Sequence, residues 1–483
     1  TMKTNDIIGR LPELEKIKYL YESQKSEFLA IYGRRRVGKS FLIEEAFEGA
    51  IAFNAVGIFK KDTDATTYKK TQLIHFHECL IEYGLKRDNA PVPKSWREAF
   101  SLLRKLLSGK RSKKKVVFLD ELPWLSGPQS SELIEELGWF WNEWARKQKN
   151  IFLIVCGSST SWMLDNVIRD YGGLHGRLTE KIHLKPFSLK ECEEFFSRRG
   201  FHLSRYEIAL CYMCIGGIPY YMDKLRPNRS LAENIDAIYY NRNDVSLEFK
   251  DVYTGLFTSS ERYIDIVKAL GSRFYGMTRS EIEKQLKIKS GGTFSKMLDN
   301  LIESGIIKTY KRYGSSRVTT VYQLKDFFSL FYLRFIDTPS KYTQWRSIQR
   351  TPSFYTWAGN SFELLVAEHI PQICEALRIK DPAESYCWTG KTSDGKNVQV
   401  DLMIPAPMER TDYLCEIKFS ENTYAITADY ENSLRNKLDA FINSRQHKKT
   451  HSLQLVMITA FGLSKSIHNS SVNGSISLDQ LFL

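Results

Sequence analysis

Apolar residues fall into two rhythms along the chain. Short unbroken apolar runs at 28–32, 51–55, 116–119 and 151–156 alternate with helically spaced segments at 41–47, 96–107 and 130–147. Unbroken runs, rather than apolar–polar alternation, mark strands buried on both faces. The spacing therefore predicts an α/β region over 5–187, built on a parallel sheet covered by helices. From 188 to 259 the spacing is helical, with turns at Gly216-Gly217 and Pro227-Asn228. Three apolar stripes follow: Tyr263, Ile264, Ile266, Val267 and Leu270; then Ile282 and Leu286 behind Thr278; then Phe294, Met297, Leu298, Leu301 and Ile302, ended by Gly305. Strand-like stretches at 306–310 and 317–324 flank a Gly-Ser turn. Helices followed by such a hairpin predict a winged helix over 260–335. A last α/β domain over 350–483 is predicted from a helix at 362–370, strands at 398–404, 413–419 and 453–458, and a helix at 433–443.

The first apolar run ends in Gly33-Arg34-Arg35-Arg36-Val37-Gly38-Lys39-Ser40. A GxxxxGK[ST] loop between a strand and a helix wraps phosphates with backbone N–H groups. The glycines permit the close approach and the helix N-terminus adds its dipole. Lys39 is expected to reach the β- and γ-phosphates of ATP, and Ser40 to ligate Mg²⁺. The run at 116–119 ends in Asp120 and Glu121. An acid there holds the Mg²⁺, and a second acid polarises the attacking water. Arg34, Arg35 and Arg36 read as solvated loop charges, with DNA or a neighbouring subunit as the other possible contact. Trp139, Trp141 and Trp144 read as core or interface packing.

Three stretches together carry a family resemblance: the loop, Phe118-Leu119-Asp120-Glu121-Leu122-Pro123-Trp124, and Cys156-Gly157-Ser158-Ser159-Thr160-Ser161-Trp162-Met163. The region resembles the archaeal-type ATPases of prokaryotes, which are related to AAA+ and STAND NTPases. The resemblance implies a P-loop NTPase sheet with a helical lid at 188–259. It also implies a nucleotide-sensing hydroxyl at Ser158 or Ser159, and a phosphate-facing arginine at Arg177. The Gly216-Gly217-Ile218-Pro219 turn resembles that family's lid turn.

The last domain offers Glu363 on a helix, Asp401 on a strand, and Glu416-Ile417-Lys418 on the next strand. Alternate strand residues share a face, so Glu416 and Lys418 point the same way. If Asp401 lies on the neighbouring strand, two carboxylates meet one lysine. That set suits Mg²⁺, with Glu363 completing the shell and Lys418 orienting or deprotonating water. The order resembles a PD-(D/E)XK restriction-endonuclease-like domain, a known companion of archaeal-type ATPases. Val400 stands where that motif has proline. The resemblance implies a metal-dependent nuclease-like fold and leaves cleavage itself open.

Charge adds a partner. The 483 residues carry a formal +13, which favours a polyanion such as DNA. In the winged helix, Lys296 shares its helix with Asp299 and Glu303, which is poor for base readout. Lys308, Lys311, Arg312 and Arg317, with Tyr310 and Tyr313 among them, suit a wing that tracks a phosphate backbone, or else one that packs between domains. The eight cysteines are scattered. Cys211 and Cys214 stand close together without a second pair or a histidine set, so reduced cytoplasmic cysteines are expected rather than zinc. There is no long apolar run or signal peptide, so a chain neither membrane-spanning nor secreted is expected; Thr1 ahead of Met2 reads as an appended residue. Two functions fit: an ATP-driven enzyme acting on DNA, or a nucleotide-controlled switch whose last domain binds without cutting. Self-association fits either. A small-molecule kinase does not account for the downstream domains.

Overall fold

A computed structural model of the chain describes residues 2, 6–60, 63–86, 90–127, 131–169, 174, 176–240, 245–257, 260–288, 291–310, 312–314, 320–338, 343–381 and 384–483. It divides into two compact units: Thr1–Pro186 with Val252–Thr258, and Phe187–Asp251 with Ser259–Leu483.

The first unit is built on β1 (Glu27–Tyr32), β2 (Ile51–Val56), β3 (Lys115–Asp120), β4 (Ile151–Gly157) and β5 (Glu180–His183). All pairings are parallel, in the order β2-β3-β4-β1-β5. β3 and β4 are buried along their whole length, as strands covered on both faces must be. The helices Trp96–Gly109 and Glu132–Glu143 press Trp96, Phe100, Phe140 and Trp141 onto Phe53, Val117 and Leu153. Trp141 and Trp144 are buried there and Trp139 packs alongside, so these tryptophans are core residues. The helix predicted over 130–147 stops at Glu143 because Trp144 leaves helical geometry at φ −134°. One strand, β4, separates the phosphate-loop strand β1 from the acid-bearing strand β3.

In the second unit, the helices Leu189–Arg198, Arg205–Ile215 and Leu231–Tyr239 each start with a reciprocal serine–glutamate capping box: Ser188 with Glu191, Ser204 with Glu207, Ser230 with Glu233. Each box satisfies two backbone donors that a helix start leaves open. At the Gly-Gly turn, Phe187 N donates to Gly217 O at 2.7 Å. A Cβ on Gly217 would lie 2.1 Å from Phe187 O, so the turn is a close backbone approach that only glycine permits.

Next come helices Ser260–Gly271, Arg279–Leu286 and Gly292–Glu303, with β6 (Met277–Thr278), β7 (Ile307–Tyr310) and β8 (Val321–Leu324). The strands are antiparallel in the order β6-β8-β7. The striped residues Tyr263, Ile266, Val267, Leu270, Ile282, Phe294, Met297, Leu298 and Leu301 form the buried faces. Beyond β7, Arg312 pairs with Cys387, and Tyr313 N donates to Cys387 O at 2.9 Å.

Cys387 belongs to a five-stranded mixed sheet of β9 (Tyr386–Lys391), β10 (Asn397–Ala406), β11 (Thr411–Lys418), β12 (Ser452–Thr459) and β13 (Gly474–Ser477). Its order is β13-β12-β11-β10-β9. β9, β10 and β11 run antiparallel, whereas β12 is parallel to β11. A parallel step needs a crossover, and helix Ala428–Ile442 supplies it, seating Leu434 and Phe441 on Trp388, Val400 and Met457.

Candidate functional site

The phosphate loop leaves β1 and enters helix Lys39–Ala46. Gly33 has φ 143°, and a Cβ there would lie 2.3 Å from Leu184 O, so glycine is required on both counts. Gly38 caps the helix at φ 91°. Lys39 is 4% exposed. Its ammonium donates to Gly33 O at 3.0 Å, Arg34 O at 2.9 Å and Ser158 Oγ at 3.2 Å. Ser40 Oγ donates to Asp120 Oδ2 at 2.5 Å, joining the loop to the end of β3. The other Asp120 oxygen accepts from Glu121 N at 2.8 Å, and Glu121 sits in the left-handed region at φ 47°.

Ser158 links the two halves. It follows β4, accepts from Lys39, and donates its hydroxyl to Glu121 Oε1; its amide reaches Glu121 Oε2 at 3.1 Å. Of the two serines considered, Ser158 therefore sits in the loop–acid network, whereas Ser159 Oγ bonds Leu256 O at 3.3 Å. A lysine, two hydroxyls and two carboxylates thus converge at the C-terminal ends of parallel strands, where open α/β sheets bind ligands.

The loop arginines correct the solvated-charge expectation. Arg34 is 6% exposed. Arg35 is half-buried, stacks 5.8 Å from the Trp124 ring, and packs on Gly255. Arg36 is half-buried at φ 74°, and Val37 is buried. Sequence reasoning missed Arg10, a buried guanidinium that donates to Val37 O at 3.0 Å and Lys185 O at 2.8 Å. It ties the back of the phosphate loop to the chain after β5. A Gly-Arg pair before a helix gives no sequence signal of that role.

Arg177 is not brought to the loop of its own chain. It precedes β5, where Thr179 N donates to Phe28 O, at the N-terminal end of β1. The loop leaves the other end of that strand, roughly 16 Å away at strand rise.

In the second unit, β10 and β11 set Asp401 beside Glu416. Leu402 pairs with Cys415, which carries Asp401 to the level of Glu416. Asp401 Oδ2 accepts from Ile417 N at 3.0 Å and lies 3.8 Å from Lys418 Nζ. Glu416 is fully buried; its Oε2 accepts from Lys437 Nζ at 2.6 Å and Tyr430 OH at 3.2 Å, while Oε1 has no hydrogen-bond partner. Burial, then the Asp401 charge, push the Glu416 carboxyl up to about 7. The same two causes hold Glu363 above the carboxylate range. Burial pulls the Lys418 ammonium down, but Asp401, Glu416 and Glu363 outweigh it and leave it raised. Among the described residues, no three acidic, histidine or cysteine side chains converge closely enough to form a ready-made metal shell. Lys437 and Tyr430 were not anticipated, because the helix that brings them lies beyond the local motif.

Of the basic wing residues, Lys311 and Arg317 lie outside the described residues. Arg312 is exposed, but Lys308 is drawn into the protein. Burial pushes its ammonium down to about 8, against the pull of Glu368. The backbone beyond β7 pairs with β9 at Arg312 and Tyr313.

No helix among the described residues is long and apolar enough to cross a membrane. Residues 8–225 match the family described as an ATPase domain predominantly from Archaea. An uncharacterized protein of Methanocaldococcus jannaschii is 27% identical over 344 residues, covering 68% of each chain. Among solved structures, the Walker-type ATPase of Pyrococcus abyssi is similar at 20% identity and TM-score 0.49, over 69% of this chain and 98% of that one. The ORC2 protein of Aeropyrum pernix, in ADPNP–ADP complexes, is similar at 14% identity and TM-score 0.43, over 68% and 94%. Lys39, Asp120, Glu121 and Ser158 all lie inside the matched stretch, so the part of the chain that is similar to this ATPase family is the part that carries the phosphate loop and its acids.

Proposed function

We propose that the chain hydrolyses ATP at the phosphate loop and acts on DNA through a metal-dependent, PD-(D/E)XK-like last domain. The observation that carries the first half is the hydrogen-bonded chain Lys39–Ser158–Glu121, joined to Ser40–Asp120. Lys39 exchanges loop carbonyls for β- and γ-phosphate oxygens. Glu121, oriented by Ser158, accepts the proton of the attacking water. Ser40 and Asp120, two hard oxygen donors already in contact, are the groups that would hold Mg²⁺, which supplies charge neutralisation at the phosphates. Replacing Lys39 with alanine should abolish phosphate release from ATP; turnover at the parental rate would remove the loop from the mechanism.

The second half is supported by the topology and by the unpartnered Glu416 oxygen beside Asp401 and Glu363, which fits a cation. Glu363, Asp401 and Glu416 would hold the metal, and Lys418 would orient water. We read 188–259 as the lid, 260–335 as a winged helix and 350–483 as the nuclease-like domain. The order helix, strand, helix, helix, strand, strand supports the winged helix.

One observation favours a second reading, an ATP-controlled STAND-type switch without cleavage. The acids do not converge into a preformed shell, and a lysine already sits on one of them. Supercoiled DNA with Mg²⁺ or Mn²⁺ separates the two. Nicking lost in Lys418→Ala supports the enzyme; a parent that binds DNA without nicking supports the switch.

A further inference from the structure

The two oxygens of Glu416 keep different company. Oε2 is held by Lys437 at 2.6 Å and Tyr430 at 3.2 Å, both from helix Ala428–Ile442, while Oε1 is buried without a partner. The E-x-K pattern does not ask for this second lysine. Lys418 attends Asp401 instead, at 3.8 Å. The Lys437–Glu416 pair is also the more enclosed of the two, with side chains 16% and 1% exposed against 32% and 10% for Lys418 and Asp401. A buried carboxylate needs a counter-charge, and here the protein carries its own.

Resting on the metal-site reading above, we propose that Lys437 is a resident counter-cation of that site. It balances Glu416 in the metal-free protein and fixes Oε2, so that Oε1 is the oxygen left for a divalent cation. Its ammonium then stays beside the bound metal and weakens it. Partners around a metal usually raise affinity, and their loss lowers it. A like charge does the opposite, so removing Lys437 tightens binding. A fixed unit charge this close to a dication is worth about tenfold in affinity or more.

The test is Mn²⁺ titration of the full chain by calorimetry without nucleotide, taking as site binding the part lost in Glu416→Gln. Lys437→Met is expected to bind Mn²⁺ at least about tenfold tighter than the parent. Lys437→Arg, which keeps the charge, should match the parent. The Met variant should also melt lower without metal and regain more than the parent when Mn²⁺ is added. If it does not fold, Lys437→Gln serves in the same measurement. Parental or weaker Mn²⁺ binding in the neutral variant, with binding still lost in Glu416→Gln, overturns the counter-cation role alone. No binding in the parent, or none lost in Glu416→Gln, overturns the metal-site reading and this proposal with it.

Discussion

Lys39 is held by three oxygens of its own protein, two loop carbonyls and the Ser158 hydroxyl. Such a residue is legible from sequence because its spacing and context are fixed by phosphate geometry. Gly33 is legible for the same reason, and its demand is quantitative. Gly33→Ala places a Cβ 2.3 Å from Leu184 O at φ 143°. We expect a loss of about 1–3 kcal/mol in chemical denaturation, with weaker binding of a fluorescent ATP analogue; parental values for both would show that the loop tolerates a side chain. Glu121→Gln keeps the shape but removes the base. ATP should still bind, while turnover falls by about 10²–10⁴-fold; undiminished turnover would assign the base elsewhere. Arg10 shows what spacing does not reveal. Its role rests on two carbonyls distant in sequence, Val37 and Lys185, and no local pattern announces such a clamp.

The elements that announced themselves were those with strong internal patterns. β1, β3 and β4 each carry an unbroken apolar run, and Thr278 with Glu281 marks a helix start directly. β9 and β13 were not anticipated, because Tyr386–Lys391 and Gly474–Ser477 are short and mostly polar or small, and become strands only through their neighbours. Helix Ala428–Ile442 was anticipated only over its C-terminal part, and nothing local to Lys437 or Tyr430 announces their contact with Glu416. Where β10, β11 and helix Pro352–Ala367 meet, burial, and after it the nearby Asp401 charge, has a measurable sign. Glu416, at about 7, holds its proton above its ordinary value of 4.5. A carboxyl raised in the folded state contributes stability that is complete below its unfolded pKa and is lost as pH rises through the folded one. The metal-free protein should therefore melt at progressively lower temperature from about pH 5 to about pH 8, more steeply than Glu416→Gln. A parent and variant with parallel pH profiles would show that the Glu416 carboxyl is not raised.

At the scale of the molecule, the formal +13 is the feature that argues for a polyanionic partner. If DNA is the partner, affinity for a short duplex should fall steeply with salt, by about 10³-fold or more between 50 and 200 mM if six or more phosphates are neutralised. Binding insensitive to salt would exclude a backbone-led interface. The hairpin after β7 is not the obvious place for that contact, since its backbone pairs with β9 and Lys308 is half-buried. Sequence spacing pointed there because it sees charge but not which way a hairpin folds.

The single strand between β1 and β3 also has a consequence. Neighbouring strands stand about 4.8 Å apart, so β4 acts as a spacer that sets the distance from lysine to acid at about two strand widths. That gauge belongs to the sheet and not to either side chain. It is exposed to faults at Gly157, the last residue of β4, where an added Cβ would press within 2.8 Å of Pro123 and of Met163. A bulky residue at 157 would leave every polar group in place and still spoil the calibration between grip and hydrolysis.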